Sequence, residues 1–416
     1  MRGCDPSPRK VAVTGFGVVS PLGCDAATLW RSLVEGTSGI EPIEELSGLP
    51  VTFGGPAKDF DPSRYLGPKE LRHMDRYSQM ALAAGLDAYH HAGLDQSSYA
   101  PDRIGVMIGS AAGGISTIET QIQTFNTRGA RRVSPVTVPM FIPNMGSAEC
   151  SIRIKARGPG MGIASACATG GHALALAARL ILSGDADCML AGGVEACLTP
   201  FAVSAFAAMR ALSTRNDDPK AASRPFSADR DGFVMSEGGG VLVLEDLAHA
   251  RARGAQVLAL LEGSAMTQDA YHVVAPEPEG EAVVSAIEQA VRIAGIDKAD
   301  IGYINAHGTS TQLNDSIETK AVRKALGDHA YRVPISSTKS MTGHLIGGAA
   351  GLETVICVLV LGHGIIPPTI NLDNPDPECD LNYVPNRAVR AEVSHCMNNS
   401  FGFGGQNVVL ILGKER

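Results

Sequence analysis

The residues most able to do chemistry surround Cys167, in the stretch MGIASACATGGHALALAARLIL at 161–182. A short apolar run is followed by small residues, the thiol, Gly170 and Gly171, and then an Ala/Leu-rich segment with helical spacing. This order predicts a strand, a tight turn and a buried helix. A thiol at such a turn lies near the first free N–H groups of the helix, where the dipole favours the thiolate. We therefore expect a nucleophile with a lowered pKa, the alternative being a structural cysteine in a core helix.

Further polar groups follow apolar runs in the second half of the chain. His307 lies in IGYINAHGTST, and Lys339, His344 and Glu353 surround a turn in ISSTKSMTGHLIGGAAGLE. A thiolate can accept an acyl group from a thioester, and neutral imidazoles can donate hydrogen bonds to an oxyanion or an enolate. The set therefore favours nucleophilic acyl transfer. A metal site fits less well, because the two histidines lack a carboxylate or thiol at ligand spacing.

The elements that position these groups are those of an α/β protein. Apolar runs closed by Gly predict strands at 10–19, 103–109, 187–193 and 237–245, and helical spacing predicts helices at 26–35 and 79–93. The segment 113–156 contains three prolines and is expected to be an irregular excursion from the core.

The second half of the chain repeats the plan of the first. AGLD with DRIGVMIGS is echoed by AGID with ADIGYINAHG, GGGVLVLED by GGQNVVLILGK, and residues 163–180 by 335–352 at a constant offset of 172. We expect two similar halves, 1–255 and 256–416. The offset aligns Cys167 with Lys339, and His172 with His344. A pseudo-two-fold axis would bring the two turns together at the centre of the molecule.

Composition limits the classes of protein that fit. With 416 residues, 44% hydrophobic and 19% charged, the chain has ample material for a globular core. A net charge of −8 argues against a nucleic-acid partner. We expect no signal peptide and no membrane span, since apolar runs are short. Nine scattered cysteines without a CxxC pair indicate reduced thiols and a cytoplasmic location.

The motifs together resemble the β-ketoacyl-[acyl carrier protein] synthase family, in particular its type II elongating enzymes. They are SACATG at Cys167, NAHGTST at His307, KSMTGH at 339–344 and NSFGFGG at 399–405, with GFGVVSPLG, RALSTRNDDP, ADRDGF and DPECDLNYVPN in the same order. The resemblance covers nearly the whole chain. It implies a thiolase-like fold, with duplicated halves in a five-layer α-β-α-β-α sandwich.

The resemblance also implies a role for each matched residue. Cys167 would carry the acyl chain, His307 and His344 would bind the malonyl thioester oxygen, and Lys339 and Glu353 would hold the site in a charged network. The N–H groups of Cys167 and Phe403 would form the oxyanion hole, with Phe401 and Phe403 at the gate. Thr309 and Thr311 would line the phosphopantetheine tunnel, Ala112, Val136 and Thr137 the acyl pocket, and Lys69, Arg72, Arg210 and Arg215 a basic rim for the carrier protein.

The activity implied is decarboxylative condensation of a malonyl carrier protein with the acyl chain on Cys167, with no metal or organic cofactor, by a dimer. Ala112 and the VTVPMF segment depart from the bulkier family pattern, and Ser236 and Gln406 also differ. An alternative is therefore a polyketide ketosynthase active only as a heterodimer with a chain-length factor. A non-catalytic scaffold subunit is a third reading, although it would be expected to lack Cys167. A degradative thiolase is disfavoured, because NSFGFGG has no second cysteine.

Overall fold

A computed structural model describes residues 9–97 and 99–415. The N-terminal residues 1–8, which include Cys4 and begin the region for which no signal peptide is expected, lie outside the described residues. In chain order the elements are β1 Val11–Val19, α1 Ala26–Glu35, β2 Glu41–Pro42, β3 Phe53–Gly54, α2 Pro68–Leu71, α3 Arg76–His91, β4 Ile104–Gly109, α4 Ile115–Arg128, α5 Thr137–Phe141, α6 Met145–Ile154, α7 Thr169–Leu182, β5 Cys188–Glu195, α8 Pro200–Ala208, β6 Gly238–Asp246, α9 Leu247–Ala252, β7 Ala259–Gln268, α10 Glu281–Ala294, β8 Ile301–Asn305, α11 Gln312–Leu326, β9 Ile335–Ser336, α12 Lys339–Thr342, α13 Ala349–His363, β10 Ile365–Ile366, β11 Val389–Arg390, β12 His395–Gly402 and β13 Gln406–Gly413.

The main sheet shows the duplication directly. Its strand order is β4-β5-β6-β1-β7-β13-β12-β8-β9, which reads as one half followed by its mirror-ordered copy. Each half has a corresponding parallel pair, β4 with β5 and β8 with β12, and the second half adds a further parallel pair, β8 with β9. The other pairs in this sheet are antiparallel. The halves join where β1 pairs with β7, through Val11 opposite Leu261 and Val13 opposite Ala259. The thiolase-like α/β fold expected from the sequence is confirmed.

Helices cover and separate the two halves of the sheet. α3 packs on β1, β5 and β6, and α10 packs on β7 and β13, so these helices form the outer layers. α7 and α13 contact each other and strands of both halves, which makes them the central layer. The residues of β1, β5 and β6 are all buried, as expected for strands covered on both faces.

The two central helices approach closely at glycines in their first turns. A Cβ placed on Gly170 of α7 would lie 2.8 Å from the backbone nitrogen of Gly351 in α13. Only glycine permits this contact, which explains the Gly residues just after the thiol. Beyond the turn, the constant offset of 172 residues does not align equivalent positions of the two halves. The second half has α12 and residues 343–348 before α13. His172 therefore lies within α7, whereas His344 lies before α13.

Two local predictions are wrong. Residues 161–163 form no regular strand; they run beside β4, with the Met161 N–H donating to the Val106 oxygen and the Ser110 N–H donating to the Ile163 oxygen. The segment 113–156 is largely helical, in α4, α5 and α6. Its prolines lie before or in the first turn of helices, where a missing N–H costs nothing.

One stretch of the described residues, Ile346–His363, is long and apolar enough to cross a membrane by length and composition, and 89% of it is buried within the fold. It contains α13, so its apolar character belongs to the central layer. The eight cysteines in the described ranges are unpaired.

Candidate active site

Cys167 is held by a strained turn at the start of α7. Ala166 has a φ of +49°, which is uncommon for a residue with a side chain. The Thr169 hydroxyl holds this turn, since it accepts from the Ser165 N–H at 2.8 Å and donates to the Ala166 oxygen at 2.7 Å. The thiol is buried, with Cys167 8% exposed. A small residue, a cysteine and the start of a helix, in this order, therefore fix the direction of the sulfur at a turn instead of packing it within a core helix.

Two backbone N–H groups lie against the sulfur. They belong to Cys167 itself and to Phe403, in the turn between β12 and β13. Gly402 makes this approach possible, because a Cβ there would lie 2.8 Å from the Ser165 oxygen. An oxygen bonded to a carbon on Cys167 would meet both donors, which is the arrangement that stabilises a tetrahedral oxyanion.

The expected lowering of the thiol pKa is wrong for the free site. Burial raises the pKa of Cys167 to about 12, against which the positive charge of Lys339 and the N–H of Phe403 act in the opposite direction. The helix terminus is where the sequence placed it, but removal from water outweighs it. The resting sulfur is therefore a thiol, and its proton must leave as the new bond forms.

Both histidines lie beside this thiol. The sulfur of Cys167 and one ring nitrogen each of His307 and His344 lie within 4.8 Å of one another. His307 follows β8, and the Glu318 carboxylate fixes its backbone by accepting from the N–H groups of His307 at 2.9 Å and Gly308 at 2.8 Å. Burial, with a smaller contribution from Lys339, holds the pKa of both imidazoles well below the ordinary value. Both rings are neutral at neutral pH.

The tautomer of His344 follows from its backbone contact. The Ile346 N–H donates to His344 Nδ1 at 3.2 Å, so the proton of the neutral ring is on Nε2. Nε2 is buried and has no hydrogen-bond partner among the described residues. His344 therefore presents an N–H donor next to Cys167.

The sequence argument against a metal needs correction, because the fold does bring a thiol to within ligand distance of the two histidines. A histidine that binds a metal normally donates its other ring N–H to a carbonyl or carboxylate. His344 does the opposite, since its Nδ1 accepts from Ile346. The cluster is thus better suited to hydrogen-bond donation than to metal ligation.

Lys339 and Glu353 form a buried ion pair between Nζ and Oε1, with side chains 1% and 3% exposed. Burial raises the pKa of Glu353 to about 7 despite the nearby lysine. The lysine charge is one cause of the low pKa of both histidines. Lys339 therefore influences the site through its charge, and the ion pair with Glu353 holds its ammonium group in place.

The site opens into a cavity of about 870 Å³. Of the predicted lining residues, it contains Ala112, Thr309, Thr311, Phe401 and Phe403. The two threonine hydroxyls are 3.0 Å apart.

Val136 and Thr137 do not line this cavity. Both lie at the start of α5, where the Thr137 hydroxyl donates to the Ser134 oxygen at 2.7 Å. Their expected place in the acyl pocket is therefore not found within this chain. The Thr137 hydroxyl, which was expected to face a substrate, forms its hydrogen bond within the local turn.

The chain matches two models of one protein family. Residues 8–250 match the family model "Beta-ketoacyl synthase, N-terminal domain", and residues 258–373 match "Beta-ketoacyl synthase, C-terminal domain". The chain belongs to the beta-ketoacyl synthase family. The 3-oxoacyl-[acyl-carrier-protein] synthase 2 of Synechocystis is 47% identical over 408 residues, 98% of each chain, and that of Coxiella burnetii is 45% identical over 98% of this chain and 99% of its own.

Solved beta-ketoacyl synthase structures agree with the fold. A ketosynthase in complex with a type II PKS acyl-carrier protein superposes with a TM-score of 0.92 at 34% identity, covering 99% of this chain and 100% of that one. The ishigamide ketosynthase/chain length factor gives the same values. A beta-ketoacyl synthase from Burkholderia phymatum has a TM-score of 0.92 at 33% identity, over 98% of this chain and 100% of that one.

The four basic residues expected on the surface of this synthase are not equivalent. Lys69 and Arg72 are exposed, at and just after α2, and do not line the cavity. Arg210 is exposed at the cavity wall next to Met209. Arg215 is paired with Asp229 at 3.1 Å and with Asp231 at 3.7 Å. Its charge is therefore largely balanced within the chain.

Two buried carboxylates that contact residues of this site were not predicted from the sequence. Glu318 lies on α11, in its mostly polar first part QLNDSIETK, and is buried. Its spacing of three from Asp315, directly after NAHGTST, places both acids on one face and was the available signal. Glu195, at the end of β5, follows an apolar strand and carried no motif.

Proposed function

We propose that this synthase condenses malonyl-[acyl carrier protein] with an acyl chain held as a thioester on Cys167, in the elongation of fatty acids. The observation that carries the proposal is the placement of one thiol and two neutral imidazoles within 4.8 Å of one another, at a cavity of about 870 Å³. The curated relatives at 45–47% identity bear the name of this activity.

In the first step the Cys167 sulfur attacks the carbonyl carbon of an acyl thioester. A carbon–sulfur bond forms to Cys167 and the bond to the carrier sulfur breaks, and the thiol proton goes to that leaving sulfur. The N–H groups of Cys167 and Phe403 receive the developing oxyanion. One such donor is worth about 3 to 4 kcal/mol of transition-state stabilisation.

In the second step a malonyl thioester loses CO₂, and the charge moves to its thioester oxygen as an enolate. His344 donates Nε2–H to this oxygen. A ring nitrogen of His307 lies within 4.8 Å of the Cys167 sulfur and of a ring nitrogen of His344. The enolate carbon then attacks the acyl carbonyl on Cys167. The carbon–sulfur bond to Cys167 breaks, the 3-oxoacyl chain leaves on the carrier, and the Cys167 thiolate takes a proton from solvent water. The reaction as proposed uses no metal or organic cofactor.

The carrier protein is proposed to deliver its substrates at the mouth of the cavity. Because the thiol is buried, a substrate must reach it on a long, narrow arm, as phosphopantetheine provides. Thr309 and Thr311 offer hydroxyls along the cavity, and Arg210 offers an exposed cation at its wall. An acidic carrier would meet this cation, together with Lys69 and Arg72, on a chain that is otherwise acidic.

The proposed assembly is a dimer in the cytoplasm, and a homodimer is preferred to a ketosynthase/chain-length-factor pair. The relatives named 3-oxoacyl-[acyl-carrier-protein] synthase 2 share 45–47% identity, whereas two structures that pair a ketosynthase with a chain length factor share 34% and 26%. A scaffold role is disfavoured, because the thiol and both histidines are assembled. Purification from the native host would separate the first two cases by the number of different chains recovered.

The test of the proposed function is Cys167→Ala, with Cys150→Ala as its matched control. Cys150 is buried on α6, away from the cavity, and burial raises its pKa to about 12 as well. Cys167→Ala should lose the acyl adduct seen by intact mass spectrometry and retain malonyl decarboxylation, and Cys150→Ala should retain both. An acyl adduct that persists on Cys167→Ala would refute the assignment of the nucleophile.

A further inference from the structure

Glu195 is a fully buried carboxylate at the end of β5, 0% exposed. Within 9–97 and 99–415, no lysine, arginine or histidine forms an ion pair with it. Hydrogen-bond donors satisfy it instead. It accepts from the Ser110 hydroxyl at 2.7 Å, from the Ala111 N–H at 2.8 Å, from the Ala112 N–H at 3.3 Å and from the Gly347 N–H at 3.2 Å. Burial raises the pKa of Glu195, and these donors act in the opposite direction, because a protonated acid would lose one acceptor site.

The first three donors belong to one segment, which follows β4. Ala111 and Ala112 of this segment line the cavity beside Cys167. The segment contains no hydrophobic side chain larger than alanine that would anchor it by packing. The Ser110 N–H bond to the Ile163 oxygen holds one end of this segment, and the Glu195 carboxylate accepts from the Ser110 hydroxyl and from the N–H groups of Ala111 and Ala112.

The fourth donor, Gly347, belongs to the other half of the chain and follows His344 by three residues. Between them Ile346 has a φ of +47°, a strained conformation for a β-branched residue. The N–H of this same Ile346 donates to His344 Nδ1. The Gly347 N–H lies in the peptide that directly follows Ile346, so the bond to Glu195 restrains the residue whose own N–H sets the tautomer of His344.

The fit around Gly347 is close. A Cβ on Gly347 would lie 2.6 Å from Glu195 Oε2 and 2.8 Å from the Ala111 nitrogen. The wall segment and the turn after His344 thus meet at one carboxylate, with no room for another side chain.

We propose that Glu195 is a positioning residue, which holds the Ser110–Ala112 wall of the acyl cavity and the Ile346–Gly347 turn that orients His344. Through this carboxylate, the shape of the acyl wall and the presentation of the His344 N–H donor are set together. The inference rests on the proposed function, because it assigns Glu195 to both half-reactions of that site.

The test compares Glu195→Gln with Glu245→Gln. Glu245 is an equally buried carboxylate, on β6, held by Tyr99 at 2.7 Å and by Arg253, away from the cavity. In Glu195→Gln the amide N–H₂ faces backbone N–H donors, so at least one of these bonds is lost. We expect the kcat of malonyl decarboxylation to fall about tenfold or more with little change in KM. Glu245→Gln should keep kcat within about twofold of the parent.

Two further readouts separate positioning from general destabilisation. The ¹⁵N chemical shifts of the His344 ring should show Nε2–H alone in the parent and a mixture of tautomers in Glu195→Gln. The rate of Cys167 acylation should differ less among acyl chains of different length in Glu195→Gln than in the parent. A folded Glu195→Gln protein with parental kcat, tautomer and chain-length profile overturns the proposal.

Ser110→Ala serves where Glu195→Gln does not fold, since it removes one donor and leaves the carboxylate in place. It should lower decarboxylation in the same direction by a smaller factor, and parental kinetics would overturn the proposal. A parent protein that neither forms the acyl adduct nor decarboxylates malonyl thioester would refute the proposed function itself. Parental activity with unaffected variants would refute the role of Glu195 alone.

Discussion

Glu353→Gln should change how the stability of this synthase depends on pH. In the parent, Glu353 is buried beside Lys339, and its Oε2 has no hydrogen-bond partner among the described residues. Glutamine keeps the shape of the side chain and an acceptor for Lys339 Nζ, but it cannot ionise. The substitution therefore removes one buried ionisable group and leaves the volume of the side chain almost unchanged.

The magnitude follows from the pKa of the carboxyl. Burial raises the pKa of Glu353 to about 7, from an ordinary value of 4.5. A group whose pKa is higher in the folded state contributes stability below its unfolded-state pKa, and this contribution is lost as the pH rises through the folded-state pKa. One pKa unit corresponds to about 1.4 kcal/mol, so the loss between pH 4 and pH 8 is about 3 kcal/mol. The free energy of unfolding of the parent minus that of Glu353→Gln should fall by this amount over the interval.

Urea unfolding followed by far-ultraviolet circular dichroism, at equal protein concentration from pH 4 to pH 8, measures the difference. Titrations of groups distant from the Lys339–Glu353 pair are common to both proteins and cancel. Glu45→Gln, at an exposed site, is the control and should differ from the parent by an amount that does not vary with pH. A pH-independent difference for Glu353→Gln would refute the reasoning, whatever its absolute size.

Two further substitutions test other parts of the molecule. Ser236→Ala removes a fully buried hydroxyl that has no hydrogen-bond partner among the described residues, so it should raise stability by about 1 kcal/mol, and a lower Tm in thermal unfolding would contradict this. Arg210→Glu should raise the KM for malonyl carrier protein about tenfold at low salt and leave turnover of a malonyl-pantetheine thioester unchanged. Arg215→Glu should have a smaller effect on that KM, because Asp229 and Asp231 already balance its charge, and equal effects would count against a carrier site centred on Arg210.

Much of the fold was predictable because the signals were local or repeated. The ends of α1 at Ala26 and Glu35 follow from helical spacing between an Asp25 cap and Gly36, and they agree with the structure. The duplication followed from segments that recur in order. The irregular excursion predicted for residues 113–156 is wrong, because proline is compatible with helix starts: Pro139 lies in the first turn of α5 and Pro143 precedes α6.

The site was predictable in its motifs and unpredictable in its electrostatics. Cys167, His307 and His344 stand in distinctive small-residue turns, which identify them in the sequence. The pKa of Cys167 depends on how completely the fold removes the sulfur from water, and no spacing in the sequence encodes that. Glu195 shows the same limit, since its role arises from contacts with residues far away in both halves of the chain.

The boundary near residue 255 divides repeats, and the structure argues that it does not divide independent folding units. β1 pairs with β7 across it, so separation would expose a strand edge on each half. In α13, the described residues from Ala349 to Leu361 are buried, and they contact α7 and strands of the first half. The first half expressed alone would lose the cover over α7, and the second half would lose the cover over an almost wholly apolar helix. Because the thiol comes from one half and both imidazoles from the other, the packing that makes the halves inseparable is also what assembles the site.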